Sequence, residues 1–210
     1  MPGRHFNGYG LGWSLNDYYG NLMVGHSGGY DGMYSRVMML PDENLGIVIL
    51  TNSMKGNTFP LSLYIVNQFI EEDMRDWSET FLNRKSGAQD QVQARIDALK
   101  KARVKKSKPT LALEKYTGNY QSEMHGKLTV KVSENNLLLT FDDAPALSAT
   151  LTHWHNDTWQ VNWNETHAWF DFGLVTFKID NTLKVLSMNI EVPNYDIFFD
   201  EVDLLKVELN

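Results

Sequence analysis

The chain has 210 residues and a mass of 24.1 kDa, enough for one large domain or two small ones. With 42 % hydrophobic and 12 % aromatic residues it has the material for a packed core, which excludes a wholly disordered chain. A formal charge of −7 argues against general nucleic-acid binding, and zero cysteine excludes disulfides, thiolate metal sites and cysteine nucleophiles.

The opening, Met1-Pro2-Gly3-Arg4-His5-Phe6-Asn7-Gly8, lacks the apolar stretch of a signal peptide. No run of about 18 apolar residues predicts a membrane-spanning helix. Tyr9–Leu15, Leu22–His26, Tyr34–Leu40 and Leu45–Asn52 predict strands, separated by Asn-Asp, Gly-Gly and Pro-Asp-Glu-Asn turns. Leu45–Leu50 is almost entirely apolar, which predicts a central strand covered on both faces. A helix should follow: Asn57 or Thr58 can cap it, Pro60 suits its first turn, and Leu63, Val66, Phe69, Ile70 and Met74 recur at helical spacing.

Residues 76–108 are polar. Ala88–Lys106 predicts a helix with one narrow stripe, Val92, Ile96 and Leu99 with Val104, ended by Pro109. This stretch reads as a helical linker, 76–109, between domains at 1–75 and 110–210. In the second domain Lys127–Val132, Leu137–Phe141, Ala146–His153, Thr158–Trp163, Ala168–Ile179, Leu183–Glu191 and Asp196–Phe199 predict short strands. Their roughly ten-residue spacing predicts an antiparallel barrel or sandwich. The predicted class is α+β: a partial antiparallel sheet with a packing helix, a helical connector, and then the antiparallel β domain.

Chemistry is sparse. Gly25-His26-Ser27-Gly28-Gly29 places a polar pair beside glycines on a predicted strand, a pattern that fits close approach by a ligand or equally a tight turn. His153 and His155 share a strand face, and His167 could lie across the hairpin. Three imidazoles can hold zinc, but their spacing is equally that of surface histidines. Trp154, Trp159, Trp163, Trp169, Phe170 and Phe172 suit either a stacking site or a filled barrel interior. Lys100, Lys101, Arg103, Lys105, Lys106 and Lys108 could meet phosphates or anionic lipid, or complement a helix dipole. There is no phosphate-binding Gly-x-x-x-x-Gly-Lys loop, no Gly-x-Ser-x-Gly and no His-Glu-x-x-His.

Tyr9-Gly10-Leu11-Gly12-Trp13, then Gly25–Gly29, then Leu40-Pro41 and Val48-Ile49-Leu50-Thr51-Asn52 resemble, in order and spacing, the C-terminal part of the serine β-lactamase-like hydrolases. That family includes class C β-lactamases, penicillin-binding proteins, D-aminopeptidases and related esterases. The resemblance implies that His26-Ser27-Gly28 stands for the third active-site motif, Lys-Thr-Gly or His-x-Gly. It also implies that the Gly29 N–H is an oxyanion-hole donor, a role typically worth roughly 3–4 kcal/mol. The family nucleophile lies in Ser-x-x-Lys, and no serine here has lysine three residues on. Tyr19-Gly20-Asn21 and Tyr120-Gln121-Ser122 fit the letters of the second motif, Tyr-x-Asn or Tyr-x-Ser, but not its position.

Leu113–Tyr120 resembles the opening of the lipocalin-like β domain often appended to such enzymes. The expectation is therefore a C-terminal portion of an acyl-transfer hydrolase acting on an ester, amide or β-lactam, inactive alone and needing no cofactor. The alternative is a non-enzymatic binding module built on the aromatic-rich barrel. The resemblance also implies an extracytoplasmic setting. An uncovered sheet would favour self-association through residues 8–75.

Overall fold

In a computed structural model the residues described are 5–30, 32–53, 57–70, 76–194 and 197–207. The chain divides between Gly87 and Ala88 into two compact units.

The first unit is a five-stranded antiparallel meander, β1 (Asn7–Gly10), β2 (Trp13–Tyr18), β3 (Asn21–Tyr30), β4 (Met33–Leu40) and β5 (Leu45–Thr51), in sequential order. The expected strand Tyr9–Leu15 is in fact a hairpin. Leu11 and Gly12 both take left-handed φ values, 51° and 82°, and form the two-residue turn that right-handed strand twist favours. Tyr19-Gly20 repeats the device, with φ of 49° and 81°, so Asn16-Asp17 lies within β2 rather than in a turn. Gly28-Gly29 likewise lies inside β3. Pro41–Glu43 forms a 3-10 turn closed by Asn44 in the left-handed region.

Helix α1 (Thr58–Ile70) follows, with the Leu61 N–H donating to the Asn57 carbonyl. Its buried stripe of Leu63, Val66 and Asn67 packs over Met23, Met38, Leu40 and Ile47 of the sheet. The Tyr18 hydroxyl donates to Asn67 Oδ1 at 2.8 Å beneath this core. Phe69 turns away and is 61 % exposed, because the stripe advances 63, 66, 67, 70; Met74 lies outside the described residues.

β5 is not a doubly covered central strand. Among the described residues it pairs with β4 alone, and α1 covers one face, so Ile47 is buried while Val48 and Leu50 are 65 % and 76 % exposed. An all-apolar run guarantees two covers only where a second layer exists.

Helix α2 (Trp77–Lys101) starts eleven residues before the expected Ala88. Asp76 Oδ1 accepts the Ser78 and Glu79 N–H groups at 2.8 and 3.1 Å, an N-cap that starts the helix despite the polar sequence. It ends before the expected Lys106, because residues 103–110 bond to a neighbouring hairpin instead.

The second unit is a closed eight-stranded antiparallel barrel: β6 (Gly118–Ser122), β7 (Gly126–Ser133), β8 (Asn136–Phe141), β9 (Ala144–His155), β10 (Thr158–Trp163), β11 (Gly173–Ile179), β12 (Val185–Glu191) and β13 (Leu204–Val207). β6 and β13 pair with each other and close the ring. Two expected strands are corrected. Of the strand expected at Asp196–Phe199, Asp196 lies outside the described residues, Ile197 and Phe198 are not in a strand, and Phe199 opens a 3-10 turn, so the last described strand is β13. Ala168–Phe172 precedes β11, held out of the sheet by an aromatic cluster in which Phe170 contacts Trp163 and Phe199 at 4.9 and 5.0 Å. The interior is filled by side chains, with Tyr116, Tyr120, Leu139, Leu151, Trp159 and Phe177 all buried.

Candidate active-site strand

β3 carries the sequence-predicted site. β2 accompanies it only from Asn21 to Gly25, whereas β4 runs beside it to Tyr30. Among the described residues His26–Tyr30 therefore pair on one side only, and their other backbone edge is open. The glycines serve different ends. A Cβ on Gly25 would sit 2.9 Å from the Val37 carbonyl oxygen, so packing demands glycine there. A Cβ on Gly28 would meet only Ser35 Oγ, at 3.6 Å, so the protein itself leaves that site free.

Successive strand residues face opposite ways, and this separates the polar pair. Ser27 lies opposite Arg36 and shares its face; His26 lies opposite Val37 on the other face. His26 Nε2 meets the Tyr9 hydroxyl at 3.2 Å, while Ser27 Oγ accepts the Tyr34 hydroxyl at 3.3 Å. His26 cannot act as the base for Ser27, so the pair is not a nucleophile–base couple. Gly29 lies opposite Tyr34, whose carbonyl accepts the Thr51 hydroxyl at 2.8 Å and fixes the neighbouring strand ends.

Arg36 and Tyr34 were not singled out from the sequence. The Arg36 guanidinium lies 4.3 Å from the Phe59 ring centre, and its buried Nε has no hydrogen-bond partner among the described residues. Burial pushes its pKa down, with Tyr34 opposing. The signal was there: Arg36 is the single charge in the otherwise apolar and neutral β4, and a cation in such a strand needs a reason.

The histidine trio does not assemble. His153 Nε2 is bonded to the Asn156 carbonyl, His155 Nδ1 to the Val104 N–H, and His167 stacks on Phe170 at 4.7 Å rather than crossing to the pair. Among the described residues no group of three potential metal ligands comes together. Of the aromatics, Trp159 is buried in the barrel core and Trp163 and Phe170 pack against it. From the basic run, Arg103 covers the Trp154 ring and Lys100 the Phe172 ring, at 4.2 and 5.3 Å.

Residues 2–68 match the family described as Beta-lactamase. The first unit is thus a β-lactamase-like serine hydrolase portion, and β3 lies within the matched residues. Residues 102–206, half of the chain, match the family described as Domain of unknown function (DUF3471), to which the chain belongs. Unguisins hydrolase ungD' of Aspergillus campestris (strain IBT 28561) is 26 % identical over 141 residues, which are 64 % of this chain and 26 % of that protein.

Two solved structures are also similar. The octameric penicillin-binding protein homologue from Pyrococcus abyssi is 17 % identical with a TM-score of 0.34, over 98 % of this chain and 39 % of that one. The C-terminal domain of penicillin binding protein Rv0907 is 23 % identical with a TM-score of 0.36, over 50 % of this chain and 98 % of that one. The chain therefore spans about a quarter of the length of the curated relative it matches.

Proposed function

We propose that the first unit supplies the substrate-lining strand of an acyl-transfer hydrolase, and that the 210 residues alone carry out no acylation. The observation that carries the reading is the one-sided pairing of β3 at His26–Tyr30 among the described residues, within the stretch that matches the Beta-lactamase family. An extended acyl or peptide substrate can pair with such an edge through its own backbone groups. In this reading Gly29 donates its N–H to the carbonyl oxygen as charge develops there. His26 and Ser27 contact the groups flanking the scissile ester, amide or β-lactam bond. No Ser-x-x-Lys is present, and Ser27 has no base, so the attacking hydroxyl must come from elsewhere. In this reading the second unit, which holds the 110–210 segment, is an accessory domain.

Two measurements test this. A fluorescent penicillin or fluorophosphonate should leave the protein unlabelled at stoichiometric dose; labelling of any serine overturns the inactivity. Titration with an N-acyl dipeptide or a penicillin should shift the amide resonances of residues 26–30 ahead of any in the barrel. Shifts confined to the barrel would favour the binding-module alternative.

A further inference from the structure

The segment leaving α2 is pinned to the β9–β10 hairpin by a compact set of contacts. Arg103 Nε donates to the Trp154 carbonyl at 3.0 Å and its guanidinium covers the Trp154 ring. The Val104 N–H donates to His155 Nδ1 at 3.0 Å. Ser107 Oγ accepts the Asn156 N–H at 3.0 Å, and Asp157 accepts the Thr110 N–H and hydroxyl at 2.9 and 2.7 Å. Among these acceptors, only an imidazole nitrogen ordinarily changes its proton near neutral pH. A backbone N–H can only donate, so His155 Nδ1 must hold a lone pair and the ring must be neutral with its proton on Nε2. A second proton would set N–H against N–H and create a cation beside Arg103.

We propose that His155 is an acid-sensitive latch: neutral, it holds residues 103–110 on the hairpin; protonated, it lets them go. The cations around it act in that direction, and one carboxylate stands against them. The segment brings Arg103, Lys105, Lys106 and Lys108 and no carboxylate. The hairpin brings His153 and one carboxylate, Asp157, which is turned to Thr110 and Tyr116. β11 brings the exposed Lys178. Burial lowers the pKa of His155 below its ordinary 6.5, and His153 and Arg103 lower it further. For a base whose folded pKa is depressed, the stabilisation is complete above the unfolded value and is lost as pH falls through the folded one. Release loosens residues 103–110 within the second unit, while Arg95 of α2 stays bonded to Glu191.

Nuclear magnetic resonance of the full chain between pH 7.5 and 4.5 tests the latch. The His155 ring should titrate with a midpoint below 6.5, and protection of the Val104 amide from exchange should fall at least tenfold across that midpoint. Protection of the Leu139 amide, in the barrel core, should hold. In H155N the side-chain Oδ1 can accept the same N–H without titrating, so Val104 should stay protected at pH 4.5. A midpoint at or above 6.5, or Val104 protection that ignores the His155 titration, overturns the proposal. So does H155N losing protection as the unaltered protein does. The unaltered protein decides the question by itself if the variant fails to hold the segment at any pH.

Discussion

Replacing Tyr116 by Phe removes one oxygen from the base of the barrel and little else. The ring would keep its packing at 4.5 Å from Trp159 and 5.1 Å from Phe177, so no cavity opens. What goes is the hydroxyl, which donates to Asp157 Oδ1 at 2.5 Å and accepts the Leu111 N–H at 3.0 Å. A hydrogen bond to a charged acceptor contributes about 1.5–3 kcal/mol, and the Leu111 N–H is near enough to solvent to find water. Asp157 keeps both donors of Thr110, which softens the loss. We expect Y116F to destabilise the barrel by about 2 kcal/mol, or about 8 °C in Tm at roughly 4 °C per kcal/mol. Urea unfolding followed by tryptophan fluorescence measures it, since Trp159 reports the same core. Combining Y116F with D157N should cost less than the sum of the two, because both remove one contact. A Y116F protein within about 0.5 kcal/mol of the parent, or strict additivity with D157N, would refute the reasoning.

G25A should destabilise the first unit by about 1–3 kcal/mol through the clash with the Val37 carbonyl, whereas G28A should be almost neutral; urea unfolding of both separates them. D76A should cost about 1 kcal/mol and speed amide exchange at Ser78 and Glu79, the two capped donors. The Phe6 N–H first, and His5 next, outweigh burial and hold the Asp17 carboxyl at about 2. Protection of the His5 and Phe6 amides should therefore persist below the usual carboxylate range and fail only as pH drops through that value. A carboxyl ¹³C titration with a midpoint at the ordinary 3.8 would contradict this.

Alternation and turn chemistry made much of the barrel legible, with β7, β8 and β10 lying close to where the sequence sets them. Long-range effects hid the rest. Leu11-Gly12 reads as strand because the β-forming residues run on through it, and only the left-handed φ of both residues shows the turn. β13 has four residues and earns its place by closing a ring with β6, a partner more than eighty positions away. The end of α2 depends on hairpin groups about fifty residues distant, and no local signal reports them. Of the candidate site, the cluster His26–Gly29 is readable in the sequence, and the one-sided pairing of its strand follows from where β2 begins. Arg36 is hard to read because a single charge in a strand is ordinarily solvated, and here its guanidinium lies against the Phe59 ring.

Ring closure through the first and last strands has a consequence for the order of assembly. Every pairing in the meander joins neighbouring strands, so each hairpin of the first unit can form as soon as its residues exist. The barrel cannot be completed until residues 204–207 have been synthesised, because β13 alone bridges β12 and β6. Until then β6 and β12 carry unpaired edges, and the half-built sheet bares the apolar interior that the ring later encloses. Non-local closure of this kind slows folding relative to local hairpins. During translation this chain would pass through a period with a finished first unit trailing an open, adhesive second one, and holdase chaperones would have their binding site on the strands of the unfinished barrel.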